Sequence, residues 1–148
     1  KPVNEAILNN VAEAKVRGAR QPSLTPSEHE LQKALIEWWG LARKKWALPR
    51  EALFAIPNGQ ILMGSARNPE RVMTYLKVEG FRIGVPDLML AVARGGFHGA
   101  FCEMKSATGS VKPEQAQYIQ FLREQHYAVQ MCRSTEIAIE FFTNYLEG

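Results

Sequence analysis

Three charged residues in two apolar segments could carry out hydrolytic chemistry. Asp87 is the only acidic residue of the apolar segment 85–90, and Glu103 and Lys105 lie in the segment 100–105. Strand formation does not favour a carboxylate at these positions. If the two segments pair as strands, Asp87 approaches Glu103, and a divalent cation relieves the repulsion between two desolvated carboxylates.

The alternation of a strand places the lysine with the carboxylates. Side chains of alternate residues share a face, so Glu103 and Lys105 point one way while Cys102 and Met104 point into the core. Mg²⁺ binds oxygen ligands, commonly one or two carboxylates with water and phosphate. It polarises a phosphoryl oxygen and acidifies a water, and a nearby ammonium stabilises the charge that develops on the phosphate. The pattern therefore indicates phosphodiester hydrolysis.

Each motif also has an ordinary structural interpretation. Glu-x-Lys is common as an exposed salt bridge on an edge strand, and Pro-Asp often begins a loop. Glu28 and Gln32 lie one turn apart on a helix face, but a capped, solvated helix start explains them as well. We assign this ordinary role to His29 and Glu30. From the residues alone, both interpretations stay open.

The elements that must position these residues follow from periodicity and from capping and turn signals. Ser27 and Glu30 predict a capping box at the start of a long helix, and Asn68 followed by proline predicts another helix start, with Gly80 as its C-terminal cap. We further predict strands at 53–56, 85–92, 100–105 and 127–132, a hairpin turn at 95–96, and helices that begin at Pro113 and at Ser134. This order predicts an α/β fold with a central mixed sheet flanked by helices.

Three predicted elements carry groups of apolar residues. The segment 53–56 is predicted to be a buried strand. The helix after Asn68 and the helix after Pro113 each carry an apolar face, formed respectively by Val72, Met73, Tyr75 and Leu76 and by Tyr118, Ile119, Phe121 and Leu122. Residues 3–17 predict a further amphipathic helix, which either packs on its own domain or forms a dimer arm.

The composition is that of an ordinary globular domain. Of 148 residues, 46% are hydrophobic and 22% charged, unlike a disordered chain. The net charge of +3 favours polyanionic partners only mildly, since solvated helix faces explain it equally well. Two cysteines without a CxxC motif, and no apolar run of membrane-spanning length, predict a cytoplasmic protein with no membrane partner.

Six short pieces occur in a specific order along the chain. They are Ser27-Glu28…Gln32, Ile56-Pro57-Asn58-Gly59, Leu76-Lys77…Glu79-Gly80, Gly84-Val85-Pro86-Asp87-Leu88, Glu103-Met104-Lys105 and Pro113-Glu114-Gln115. Together they resemble the VRR-NUC nucleases, a branch of the PD-(D/E)xK superfamily, over about residues 24–147. The resemblance implies a restriction-endonuclease-like PD-(D/E)xK core at residues 24–148, preceded by an N-terminal helix and linker at 1–23.

The resemblance also implies a metal site. Asp87 and Glu103 would bind Mg²⁺ or Mn²⁺, the carbonyl of Met104 would add a ligand, and Glu28 would add a carboxylate directly or through water. We expect no small-molecule organic cofactor.

Three more residues match the family pattern. Lys105 would assist the nucleophilic water, and Gln115 would lie beside the site on the following helix. Asn58 matches a motif residue whose role the resemblance does not specify.

Stand-alone members of the family are similar to Holliday-junction resolvases and tend to be homodimers, whereas fused members prefer flaps. We therefore expect a Mg²⁺-dependent, structure-selective endodeoxyribonuclease that is a homodimer, cuts branched DNA such as a Holliday junction, and acts in DNA repair in a bacterial or phage-infected cell. Two alternatives stay open: a flap or restriction-type nuclease on the same core, and a DNA-binding module that does not cut.

Overall fold

A computed structural model describes residues 25–58 and 66–148 of the chain. The predicted helix at 3–17 lies outside these residues, and so does the predicted domain boundary after residue 23. Both stay predictions.

Four α-helices, two short 3₁₀ helices and four strands make up the described parts of the chain. In order they are α1 (Glu28–Ala42), a 3₁₀ helix (Arg43–Trp46), a second 3₁₀ helix (Arg50–Ala52), β1 (Leu53–Ala55), α2 (Pro69–Val78), β2 (Leu88–Leu90), β3 (Ala100–Met104), α3 (Pro113–Glu124), β4 (Ala128–Cys132) and α4 (Thr135–Glu147). For residues 25–58 and 66–148, this is the predicted order of elements.

The strands form one mixed sheet in the order β1-β2-β3-β4. β1 pairs with β2, and β2 with β3, in antiparallel fashion, whereas β3 and β4 are parallel. Parallel neighbours need a long crossover connection, and α3 provides it. The predicted mixed sheet flanked by helices is therefore confirmed.

The predicted helix starts are present with their caps. The Ser27 hydroxyl accepts from the Glu30 N–H, and the Glu30 carboxylate accepts from the Ser27 N–H, which completes the capping box of α1. Asn68 and Ser134 cap α2 and α4 in the same way through their side-chain oxygens. Gly80 follows α2 with a φ of +101°, the left-handed conformation that ends many helices.

The predicted hairpin joins β2 and β3, but its strands are shorter than predicted. Gly95 and Gly96 both have positive φ, as a tight hairpin turn requires. The first strand spans Leu88–Leu90 rather than 85–92. Its later start follows from Pro86, which has no N–H to donate to a strand ladder. Asp87 therefore lies one residue before the strand, where its carbonyl still accepts from the Ile56 N–H at 2.7 Å.

The sheet has helices on both faces. On one face, β2 and β3 pack against α1 and α4 through a large core that includes Leu35, Trp39, Cys102, Met104 and Phe142. On the other face, a smaller core joins the sheet to α3 and contains Phe101, Ile119, Leu122 and Val129. Alternation along β3 places Glu103 with Phe101, on the α3 face.

The apolar residues of three predicted elements are only partly buried. None of the α2 residues is buried, and Tyr75 is 65% exposed, because the helix does not pack into either core. On α3, Phe121 lies outside the buried stripe of Ile119 and Leu122 and is 51% exposed. β1 is an edge strand, and Phe54 is 41% exposed because neither core covers its side chain. No helix in residues 25–58 and 66–148 is long and apolar enough to cross a membrane.

The core on the α1 face makes a prediction about stability. Leu35 is fully buried, whereas Leu41 on the same helix is 75% exposed. Leu35→Ala leaves a cavity and should lower the free energy of unfolding by about 2–5 kcal/mol. Leu41→Ala serves as the control and should change it by less than about 0.5 kcal/mol. Denaturant unfolding measures both, and equal losses would contradict this account of the core.

Candidate active site

Asp87 and Glu103 meet at the end of the β2–β3 pairing. Leu88 is the partner of Cys102 in the antiparallel register, so the residue before Leu88 lies opposite the residue after Cys102. The Asp87 carboxylate reaches across and accepts from the Met104 N–H through Oδ2 at 2.8 Å. The backbone of Met104, whose carbonyl the family pattern suggests as a metal ligand, therefore lies beside this carboxylate.

Glu103 is held at the centre of the site by two donors. The residue is only 1% exposed. Oε1 accepts from the Lys105 ammonium at 2.8 Å and from the side-chain amide of Gln115. Oε2 is also buried, but it has no hydrogen-bond partner among the described residues. A buried carboxylate oxygen without a partner is costly, and this one is the oxygen best suited to accept a further ligand.

Gln115 is oriented by the start of its own helix. Its side-chain oxygen accepts from the Lys112 N–H at 3.0 Å, just before α3. The amide nitrogen must therefore point the other way, towards Glu103. Gly84 permits the close approach of this helix start: its φ is +91°, and a Cβ at that position would lie 2.7 Å from the Glu114 carbonyl oxygen.

Glu28 joins the site from the first turn of α1. It is exposed, and its Oε1 accepts from the Ser106 N–H at 3.3 Å, directly after Lys105. The Glu28 charge raises the pKa of both Asp87 and Glu103, although less than burial does. The carboxylates of Glu28, Asp87 and Glu103 are therefore close enough for their charges to interact.

Burial is the main cause of the raised pKa of both inner carboxyl groups. For Asp87, burial outweighs the hydrogen bond from Met104 and the charge of Lys105, which lower the pKa. For Glu103, burial outweighs the hydrogen bond from Lys105, and the neighbouring Asp87 charge raises the pKa further. Both groups are therefore easier to ionise when a cation is bound beside them.

The donor set fits a hard divalent cation. Asp87 and Glu103 offer carboxylate oxygens from positions that face each other across the β2–β3 pairing. In the part of the chain that the structure describes, no donor is bonded to Glu103 Oε2. Within residues 25–58 and 66–148, no three acidic, histidine or cysteine side chains converge tightly enough to hold a metal by themselves. Mg²⁺ commonly uses only one or two carboxylates and completes its shell with water and other oxygens.

The site opens to solvent through a cleft of about 400 Å³. Glu28, Asp87, Glu103, Lys105 and Gln115 all line it, as does Asn58. Its other walls include two cations and three apolar side chains, which are Arg82, Lys112, Met73, Phe81 and Ile83. A separate cleft of about 520 Å³ lies at the starts of α1 and α4 and contains none of the five predicted catalytic residues.

Sequence reasoning did not single out several residues at this site. Arg82 and Lys112 are basic residues that belong to no motif with a recognisable chemical role. Ser106 contributes a backbone N–H, which no side-chain pattern can reveal. For Lys112, its place directly before the Pro113-Glu114-Gln115 motif was the one available signal.

The raised pKa of Asp87 predicts how a neutral substitution changes stability with pH. Asp87→Asn keeps an oxygen for the Met104 N–H but removes the charge. A raised folded-state pKa favours folding below the unfolded pKa of about 3.9, and this contribution is lost as pH rises through the folded pKa. In chelator, Asp87→Asn should therefore gain stability relative to wild type as pH rises above about 4, as measured by thermal unfolding.

Glu30 supplies a control of opposite sign. Hydrogen bonds from the Ser27 backbone and side chain lower its pKa, so its charge contributes stability that is lost as pH falls through the folded pKa. Glu30→Gln should therefore be least stable relative to wild type at neutral pH. Parallel pH trends for the two variants would contradict the assigned environments.

Comparisons with known proteins place the chain in a family. The family model described as the VRR-NUC domain matches residues 27–136, which is well over half of the chain. No curated protein matches. A solved structure described as a VRR_NUC domain protein has a TM-score of 0.68 with 21% identity, and the match covers 83% of this chain and 90% of that chain.

The structural likeness, at this identity, establishes the fold: a four-stranded mixed sheet with flanking helices. The family match covers every residue of the site described above, from Glu28 to Gln115. The chain therefore belongs to the VRR-NUC domain family, which is a family of nucleases.

Proposed function

We propose that this protein is a metal-dependent, structure-selective DNA endonuclease that resolves branched junctions. The observation that carries the proposal is the Glu103 carboxylate, which is buried beside Asp87 with one oxygen fully engaged and the other without a partner. Such an arrangement is destabilising in the protein alone. Membership of a nuclease family supplies DNA as the substrate.

Asp87 and Glu103 would hold Mg²⁺ or Mn²⁺, with the carbonyl of Met104 as a further oxygen ligand and the Glu28 carboxylate acting directly or through water. When bound, such a cation polarises a phosphoryl oxygen and lowers the pKa of a coordinated water. The protein's own contribution is to hold these oxygens in place and to exclude other donors from Glu103 Oε2.

Lys105 would act on the water and the phosphate. Its ammonium has three donors, and the contact with Glu103 Oε1 at 2.8 Å uses one of them. Another donor can orient the attacking water or stabilise the negative charge that develops on the phosphate. Gln115, on α3, donates to the same Glu103 oxygen and so holds the carboxylate in place from the helix side.

The cleft walls suit a nucleic acid backbone. Arg82 and Lys112 line the cleft with the carboxylates and would contact phosphates on either side of the cut bond. Phosphate contacts position the substrate without reading its bases, which agrees with recognition by shape. A homodimer would present two such sites and allow paired cuts across a four-way junction.

A cleavage assay tests the catalytic proposal. With Mg²⁺, the wild type should cut a mobile four-way junction, and Asp87→Ala, Glu103→Ala and Lys105→Ala should each lower the rate by at least about 100-fold. Glu140→Ala, an exposed acid on α4, is the control and should cut normally. Chelator should abolish cleavage but leave DNA binding, and cleavage that persists in chelator would exclude this metal site.

The substrate panel separates the alternatives. Paired cuts in the four-way junction, by a protein whose solution mass is that of a dimer, are the expected result. Preferred cutting of a flap or of linear duplex would instead indicate the flap or restriction-type nuclease. If wild type and Asp87→Ala both bind DNA and neither cuts, the protein is a binding module.

The assigned phosphate contacts make a separate prediction about salt. Each phosphate contact adds about one unit to the slope of log affinity against log salt. Arg82→Ala and Lys112→Ala should each weaken DNA binding and reduce that slope by about one, with no change of substrate preference. The Lys112 backbone N–H that orients Gln115 survives this substitution. Lys33→Ala, which removes a cation outside the cleft, should leave the slope unchanged.

A further inference from the structure

Arg133 organises the loop that follows the catalytic strand β3. Its Nη1 donates to the carbonyl oxygens of Ser106, Ala107 and Gly109 at 3.0, 3.4 and 2.7 Å. Three carbonyl oxygens turned towards one another repel unless a cation lies among them. The Arg133 guanidinium is therefore what allows this loop to curl around one point.

The curled loop in turn holds Glu28. Ser106, whose carbonyl accepts from Arg133, also donates its backbone N–H to Glu28 Oε1 at 3.3 Å. Gly109 also lies close to Glu28 and to Lys105. A Cβ at this position would be 3.1 Å from Glu28 Oε1 and 3.4 Å from Cδ of Lys105. The loop therefore lies against both Glu28 and the catalytic lysine.

The same chain segment also fixes the helix that carries Glu28. Two residues after Arg133, the Thr135 hydroxyl donates to the Leu31 carbonyl at 3.0 Å, so the start of α4 contacts the first turn of α1. The loop and the helix start are thus both anchored to the residues between β4 and α4. These residues line the cleft of about 520 Å³ rather than the catalytic cleft.

We propose that Arg133 is a positioning residue that acts through the loop at 106–109 to hold the Glu28 carboxylate at the metal site. The proposal rests on the proposed function and extends it by one residue that never touches the substrate. It predicts that Arg133 matters for metal affinity only as long as Glu28 is present.

A double-mutant cycle with Mn²⁺ as the probe tests this. Calorimetry on the full chain without DNA measures Mn²⁺ affinity for wild type, Arg133→Ala, Glu28→Ala and the double variant. Arg133→Ala should weaken Mn²⁺ binding by about tenfold, as expected for residues that orient ligands, and by less than about twofold in the Glu28→Ala background. Equal losses in both backgrounds, or no loss in either, would overturn the proposal.

Two further variants distinguish positioning from general stability. Arg123→Ala removes a matched arginine, which donates to the Val129 carbonyl on β4 at 2.9 Å, and should leave Mn²⁺ affinity within about twofold of wild type. Arg133→Lys should restore Mn²⁺ affinity to within about threefold of wild type, because a single nitrogen makes all three contacts and the three N–H donors of an ammonium can serve one carbonyl oxygen each. Failure of the lysine to restore affinity would count against the proposal.

A variant in the loop tests the same link if Arg133→Ala does not fold. Gly109→Ala keeps Arg133 but places a methyl group against Glu28 Oε1, so it should also weaken Mn²⁺ binding and lose its effect when Glu28 is absent. Asp87→Ala, measured alongside, identifies failure of the proposed function itself. If Asp87→Ala binds Mn²⁺ as tightly as wild type, the metal site is wrong. If Asp87→Ala weakens Mn²⁺ binding but Arg133→Ala and Gly109→Ala do not, only the positioning role is wrong.

Discussion

The candidate active site depends on one unfavourable interaction, the enclosure of the Glu103 carboxylate next to that of Asp87. A buried carboxylate must be hydrogen-bonded, paired or neutralised. Here Lys105 and Gln115 engage one oxygen of Glu103, and Met104 engages Asp87. One buried oxygen of Glu103 stays without a partner, and burial raises the pKa of both groups. The site therefore costs stability in the protein alone, which is common where function requires a particular charge arrangement.

The fold tolerates this loss of stability because the larger core lies on the sheet face that does not carry the site. The α1 and α4 face carries the larger core, which contains Leu35, Trp39 and Phe142. The α3 face has a smaller core and, at its end, the site residues of β3. The residues of β3 alternate between these faces, so Cys102 and Met104 anchor the strand while Glu103 faces the cleft. Rigidity on one face keeps the carboxylates in place on the other.

Several elements converge on the site, and most of them do so through backbone groups. The Met104 N–H holds Asp87, the Lys112 N–H orients Gln115, and the Ser106 N–H holds Glu28. Side chains of the required type are thus positioned by peptide groups that any residue could supply. This is why a substitution in a loop beside the site can change the positions of these side chains although it replaces none of the candidate site residues.

The sequence by itself determined the type and order of most elements, and it predicted the residues that the structure brings together at the candidate site. Local signals suffice for these: the capping box at Ser27, the paired glycines at 95 and 96, and the alternation that places Glu103 and Lys105 on one face. Each depends on residues only a few positions apart. The family pattern added Glu28 and Gln115 by resemblance.

Only the tertiary structure decided burial and orientation. The exposure of α2 and of Phe54 depends on which neighbour each element lacks, and no local pattern contains that information. The end of β2 at Leu88, the direction of the Gln115 amide and the link from Arg133 to Glu28 likewise depend on contacts between residues far apart in the chain. Periodicity describes a single element, whereas these features arise only when several elements pack together.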